Sequence, residues 1–180
     1  MKFAPIIYLI GMLLCILSLF MLIPAFVDWF YGSKDWPAFI ASSLTTLFVG
    51  GAMFLSAKGS ATEHLELRQA FLLTNSAWIS IALFGSLPFL FSEINMSITD
   101  AIFESTSGIT TTGATVIDTL ETTSYGILIW RALLQWLGGV GIIVMALAIL
   151  PMLSIGGMQL FKTESYETPD KVVPKAASFA

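Results

Sequence analysis

Four long apolar stretches, separated by short polar segments, decide the solvent in which this chain folds. They cover about residues 6–27, 37–57, 70–91 and 125–150. An α-helix needs roughly 20 residues to cross about 30 Å of hydrocarbon, and each stretch is long enough. Of the 180 residues, 56% are hydrophobic and 11% charged, whereas soluble domains carry about 25% charged residues. The composition describes an integral membrane protein of the all-α class.

The first stretch ends in the polar segment 28–35. It lacks a small-x-small cleavage site and is longer than a signal-peptide core, which predicts a retained helix. Pro37 opens the second, where a missing N–H leaves no bond unmade. Pro88 lies near the far end of the third. The fourth exceeds the length of a span and is expected to tilt or break around Pro151 and Gly156-Gly157. The chain thus divides into a two-helix region, residues 1–62, and a second region, residues 63–180. The latter comprises a span at 70–91, a short helix at 98–108, an irregular strand at 109–115, a span at 125–155 and a tail at 160–180.

When the four stretches cross alternately, Lys2, Lys58, Arg68, Lys162, Lys171 and Lys175 share one side, Lys34 takes the other, and Arg131 falls inside the last stretch. The positive-inside rule then predicts both termini in the cytoplasm. Residues 92–124 lie outside and contain Glu93, Asp100, Glu104, Asp118 and Glu121 without a Lys or Arg. Such acidity concentrates cations, although ordinary solvated loop charge is the plainer reading. The net charge of −4 speaks against nucleic acid as a partner. One Cys and one His exclude a disulfide framework and a His/Cys metal cluster. Cys15 is read as packed among Leu and Ile, and His64 as a solvated interfacial side chain. No Ser/His or Cys/His pairing is present, so the chain is not expected to be an enzyme.

The segment between the third and fourth spans has its own order. Ser97 and Asp100 form a capping box, which predicts a helix from about residue 98 that Gly108 stops. At about ten residues it is too short to span, and with the following SGITTTGAT (residues 107–115) it reads as a re-entrant hairpin. Irregular backbone at membrane depth leaves carbonyls unpaired unless it lines a path for water or ions. Thr111, Thr112, Gly113 and Ala114 are the candidates to present carbonyl oxygens to a cation in place of its water shell. Gly113 permits backbone angles that a β-carbon resists, and the C-terminal end of the short helix favours positive charge. The bland alternative is a turn-forming outer loop.

A charge inside a span, such as Arg131, is usually paired. Its expected partner is Glu104 on the short helix, with Gln135 extending the polar contact one turn further on; the alternative is that Arg131 snorkels to the outer surface. Gly138, Gly139 and Gly141 suggest close helix packing, or a hinge, and Trp130 and Trp136 are read as packing or anchoring residues.

Two motifs, FESTSGITTTGA (residues 103–114) and WRALLQWLGGVGI (residues 130–142), resemble the first pore unit of the Trk/Ktr/HKT superfamily of potassium transporters. The resemblance implies a pore of four linked helix–loop–helix units around one filter, in the bacterial cytoplasmic (inner) membrane. It also implies a cytosolic nucleotide-binding, TrkA-like regulatory subunit as partner. Residues 1–62 match the two helices that such proteins place before the first unit, and residues 111–114 match the filter strand, with Gly113 at its signature glycine. Potassium is then the bound ion, with no other metal and no covalent cofactor. The chain departs from the family pattern in holding one pore unit. A fragment or truncated reading frame is expected, completed by further units of a parent chain or by homo-oligomerisation; the alternative is a non-conducting membrane fragment or scaffold.

Overall fold

The computed structural model describes residues 3–60, 67–118 and 120–165, with side chains described as far as residue 147 except those of residues 60 and 67. Of the expected tail at 160–180, residues 160–165 belong to the last helix; residues 166–180 and His64 lie outside the described residues. Six α-helices follow in chain order: α1 Ala4–Phe30, α2 Trp36–Ser56, α3 Leu67–Gly85, α4 Leu87–Phe91, α5 Ile98–Ile109 and α6 Tyr125–Ser165. No strand occurs among the described residues. Four segments are long and apolar enough to cross a membrane: Ala4–Phe30, Trp36–Ser56, Arg68–Phe91 and Tyr125–Leu147. The chain forms two units, Met1–Met145 and Ala146–Ala180. In the second, the helix continues through Pro151 and Gly156-Gly157 to Ser165, so the expected break is absent.

In the first unit, α1 and α2 form a hairpin turned by Gly32 at φ +69°. Their backbones approach closely where Gly11 meets Gly50: a β-carbon on Gly11 would lie 2.5 Å from the Phe54 amide nitrogen. Small residues permit such contact, which gains dispersion energy that lipid tails cannot outcompete. Ser43 Oγ adds an interhelical bond to the Ser18 carbonyl at 2.8 Å. The buried face of α1, including Leu14, Leu17 and Met21, shares a core with Phe39, Phe89, Ile127, Trp130 and Leu134. Large apolar side chains such as Phe48, Ile79 and Ile143 are exposed, as suits a lipid-facing surface.

The expected span at 70–91 consists of two helices separated at Ser86. Pro88 explains the interruption, because it has no N–H for the Phe84 carbonyl and its ring crowds that turn. Phe89 N turns to the Ser86 carbonyl at 3.1 Å, in place of Gly85, and shares it with Leu90 N. The freed Gly85 carbonyl accepts Trp130 Nε1 at 2.9 Å, and Trp130 is wholly buried. The far end of α1 is tied to the start of α6. Asp28, also wholly buried, accepts the Gly126 amide on Oδ1 at 2.7 Å. That is an N-cap supplied by another helix, and it excludes any side chain at 126, where a β-carbon would lie 2.3 Å from Asp28 Oδ2.

Candidate functional site

The site begins where α5 starts. Ser97 is extended, accepts the Asp100 amide on Oγ at 3.2 Å as an N-cap and donates the same hydroxyl to Asp100 Oδ2 at 2.7 Å. Gly108 does not stop the helix. It sits inside the last turn, where a β-carbon would come within 3.0 Å of Leu134 Cβ on α6. The helix ends one residue later, at Ile109, in a Schellman arrangement: Thr111 N donates to Gly108 O at 2.9 Å and Thr112 N to Ser107 O at 3.0 Å. The left-handed residue of such a cap is usually glycine, yet here it is Thr111, at φ +61°. For a β-branched residue this is strained backbone, of order 1–3 kcal/mol, held by its surroundings.

Thr111, Thr112, Gly113 and Ala114 follow in an irregular, exposed stretch. Gly113 has φ +75°, and Gln135 Nε2 lies 3.6 Å from where its β-carbon would stand. Behind the stretch, Glu104 has 1% exposure. Its Oε1 pairs with Arg131 Nε, while its Oε2 accepts Thr115 Oγ1 at 3.1 Å and Val116 N at 3.0 Å. Arg131 is thus engaged within the protein, and Glu104 stands apart from the exposed carboxylates Glu93, Asp118 and Glu121. On α6 the three glycines differ. A β-carbon on Gly138 would lie 1.9 Å from the Ile109 carbonyl oxygen, whereas Gly139 and Gly141 have nothing within 4 Å. Of these three, Gly138 is the one that lies against the end of α5.

Sequence reasoning passed over Ser107, Thr115, Asp28 and Gly126. Ser107 and Thr115 flank the glycine-threonine run and were open to notice as hydroxyls beside it. Asp28 and Gly126 are 98 residues apart, and no local pattern announces that pairing. Beside residues 116–118, a cleft of about 690 Å³ is lined by Lys34, Asp35, Glu93, Asp100 and Asp118, among others. Asp35 Oδ1 accepts the Glu93 amide at 2.8 Å. The acidic region therefore draws on the α1–α2 turn as well as on residues 92–124, and it includes a lysine.

Two spans enclosing a capped short helix and an irregular, side-chain-braced loop, preceded by a two-helix hairpin, define a multi-pass helical membrane protein with one helix–pore loop–helix unit. The chain belongs to the TrkH family of cation transport proteins, whose model matches residues 36–177. It is therefore grouped with transporters and not enzymes. It is 40% identical over 179 residues to the Trk system potassium uptake protein TrkI of Halomonas elongata, covering 99% of this chain and 36% of that protein. To the potassium uptake protein TrkH of Vibrio parahaemolyticus it is 44% identical over 165 residues, covering 91% and 34%. The crystal structure of the potassium transporter TrkH from Vibrio parahaemolyticus superposes with a TM-score of 0.81 at 41% identity, over 92% of this chain and 36% of that one. The chain thus spans about a third of the length of these relatives.

Proposed function

We propose that this chain provides the first pore unit of a potassium uptake system in a bacterial inner membrane, with both termini cytoplasmic, and that potassium passes along the exposed face of residues 111–114. The supporting observation is the exposed loop braced from behind by Glu104 and Arg131, in a chain whose relatives are Trk potassium uptake proteins. Carbonyls in the loop replace the ion's water shell. The outer cleft, with four carboxylates against one lysine among its lining, raises the local cation concentration.

Glu104, Arg131 and Gln135 act as the support of the loop and not as ion ligands. The ion pair holds Thr115 and Val116, and Gln135 stands beside Gly113. The remaining pore surface comes from further units of a parent chain or from other copies, and a cytosolic nucleotide-binding subunit regulates the assembly. One observation favours a second reading: residues 111–114 are exposed in the single chain, as in a fragment that conducts nothing until completed.

Potassium-limited growth of an uptake-deficient bacterium tests both readings. The chain is expressed alone and joined to the remaining two thirds of the Vibrio parahaemolyticus relative. Rescue by the chimera alone supports the pore-unit reading with outside completion, and rescue by the chain alone supports self-assembly. Failure of a correctly inserted chimera to restore growth rejects the transport reading.

A further inference from the structure

Four successive amides at the start of the loop point back at α5. Thr110 N donates to Thr106 O and Thr111 N to Gly108 O, each at 2.9 Å, while Thr112 N and Gly113 N share Ser107 O at 3.0 and 3.3 Å. The peptides are trans, and in a trans peptide the N–H of one residue and the C=O of the residue before it point in opposite directions. The carbonyls of Thr110, Thr111 and Thr112 are therefore turned away from the helix, towards the exposed side of the loop. Ala114 behaves in the opposite way. Its carbonyl accepts Ser107 Oγ at 2.6 Å and so points back at a residue with 6% exposure. The reversal falls between Thr112 and Ala114, on either side of Gly113 with its φ of +75°.

We propose that Ser107 is a positioning residue that sorts the loop's carbonyls, its main-chain oxygen turning those of Thr111 and Thr112 to the ion path and its hydroxyl withdrawing that of Ala114. This deepens, and rests on, the reading of the loop as a potassium path. It removes Ala114 from the coordinating set that the sequence suggested. It also accounts for the glycine between the two sets, since its φ of +75° is a backbone angle that a β-carbon resists. The hydroxyl is the part of Ser107 that substitution can remove: alanine has no donor, whereas threonine keeps one.

Isotope-edited infrared spectroscopy on the chain joined to the remaining two thirds of the Vibrio parahaemolyticus relative, in nanodiscs, tests the assignment, with a labelled carbonyl at Thr112 in one sample and at Ala114 in another. In the unsubstituted chain, exchanging potassium for sodium should shift the Thr112 band and leave the Ala114 band in place. Ser107→Ala should move the Ala114 band to higher frequency by releasing its hydrogen bond, and Ser107→Thr should restore it. An Ala114 band that follows potassium as the Thr112 band does, or that ignores Ser107→Ala, overturns the proposal. Should Ser107→Ala not fold, the ion exchange in the unsubstituted chain still decides. If no labelled band responds to potassium while the Ala114 band moves in Ser107→Ala, the sorting role stands and it is the potassium path that fails.

Discussion

Glu104 is a buried carboxylate whose two oxygens serve different masters, one the Arg131 guanidinium and the other the backbone leading out of the loop. Glutamine at this position keeps an acceptor for Thr115 and Val116 but leaves Arg131, with 15% side-chain exposure, without its counter-charge. Removing one partner of a buried pair costs about 3–5 kcal/mol, so Glu104→Gln should lower the thermal midpoint of the chain in nanodiscs well below that of Glu93→Gln. Glu93 has an exposed side chain, where substitutions stay within about 0.5 kcal/mol. Equal midpoints for the two variants would refute the bracing role. Gly138 and Gly139 supply a second contrast, of opposite sign. Gly138→Ala drives a β-carbon into the Ile109 carbonyl and should cost about 1–3 kcal/mol or more through overpacking. Gly139→Ala meets open space and should gain about 0.5–1 kcal/mol through helix propensity. Chemical denaturation of the two variants separates packing from a hinge shared by all three glycines.

At the scale of elements, α3 and α4 show how one residue's covalent geometry propagates. Pro88 ends α3 early, the Gly85 carbonyl is left over, and the Trp130 indole on α6 takes it. Trp130→Phe should therefore cost about 1–3 kcal/mol for an unsatisfied buried carbonyl, added to any loss of packing. Faster hydrogen exchange in residues 86–90 is the expected local sign, and unchanged exchange there would mean that the break does not depend on the indole. The spans were legible because their lengths follow from bilayer thickness, and the start of α5 was legible because an N-cap is local. The break at Ser86 was half-legible: Pro88 marked the place, but the partner that makes the break tolerable lies 45 residues away. The end of α5 misled, because Gly108 is the usual helix stop and Thr111 an unusual one. Gly108 is needed instead for contact with Leu134, a tertiary demand that no reading of the local run contains. Arg131 with Glu104 could be anticipated from the rarity of charge within a span. The inward turn of Ala114's carbonyl could not, since it depends on a single hydroxyl bond formed only after the loop has folded back.

For the molecule as a whole, the decisive quantity is what covers the loop. Residues 111–114 are exposed in the single chain, and the carbonyls of Thr111 and Thr112 face the open side. In hydrocarbon such groups cost several kcal/mol each unless water, an ion or more protein meets them. Three arrangements satisfy them: four copies around one axis, completion by other pore units, or a solvated surface outside the hydrocarbon. Each has its own signature in the mass of the nanodisc-embedded chain and in its thermal response to ions. A ligand that binds only the folded state raises stability by about 2.7 kcal/mol at one hundred times its dissociation constant. A self-assembled pore should therefore be a tetramer whose midpoint rises in potassium more than in sodium at equal ionic strength. A quarter-pore should be a monomer with no such preference, gaining it only when joined to the missing length of a relative. A tetramer indifferent to potassium would show that the copies associate through their lipid-facing helices and not around the loop, which would place the function of this loop entirely in the completed protein.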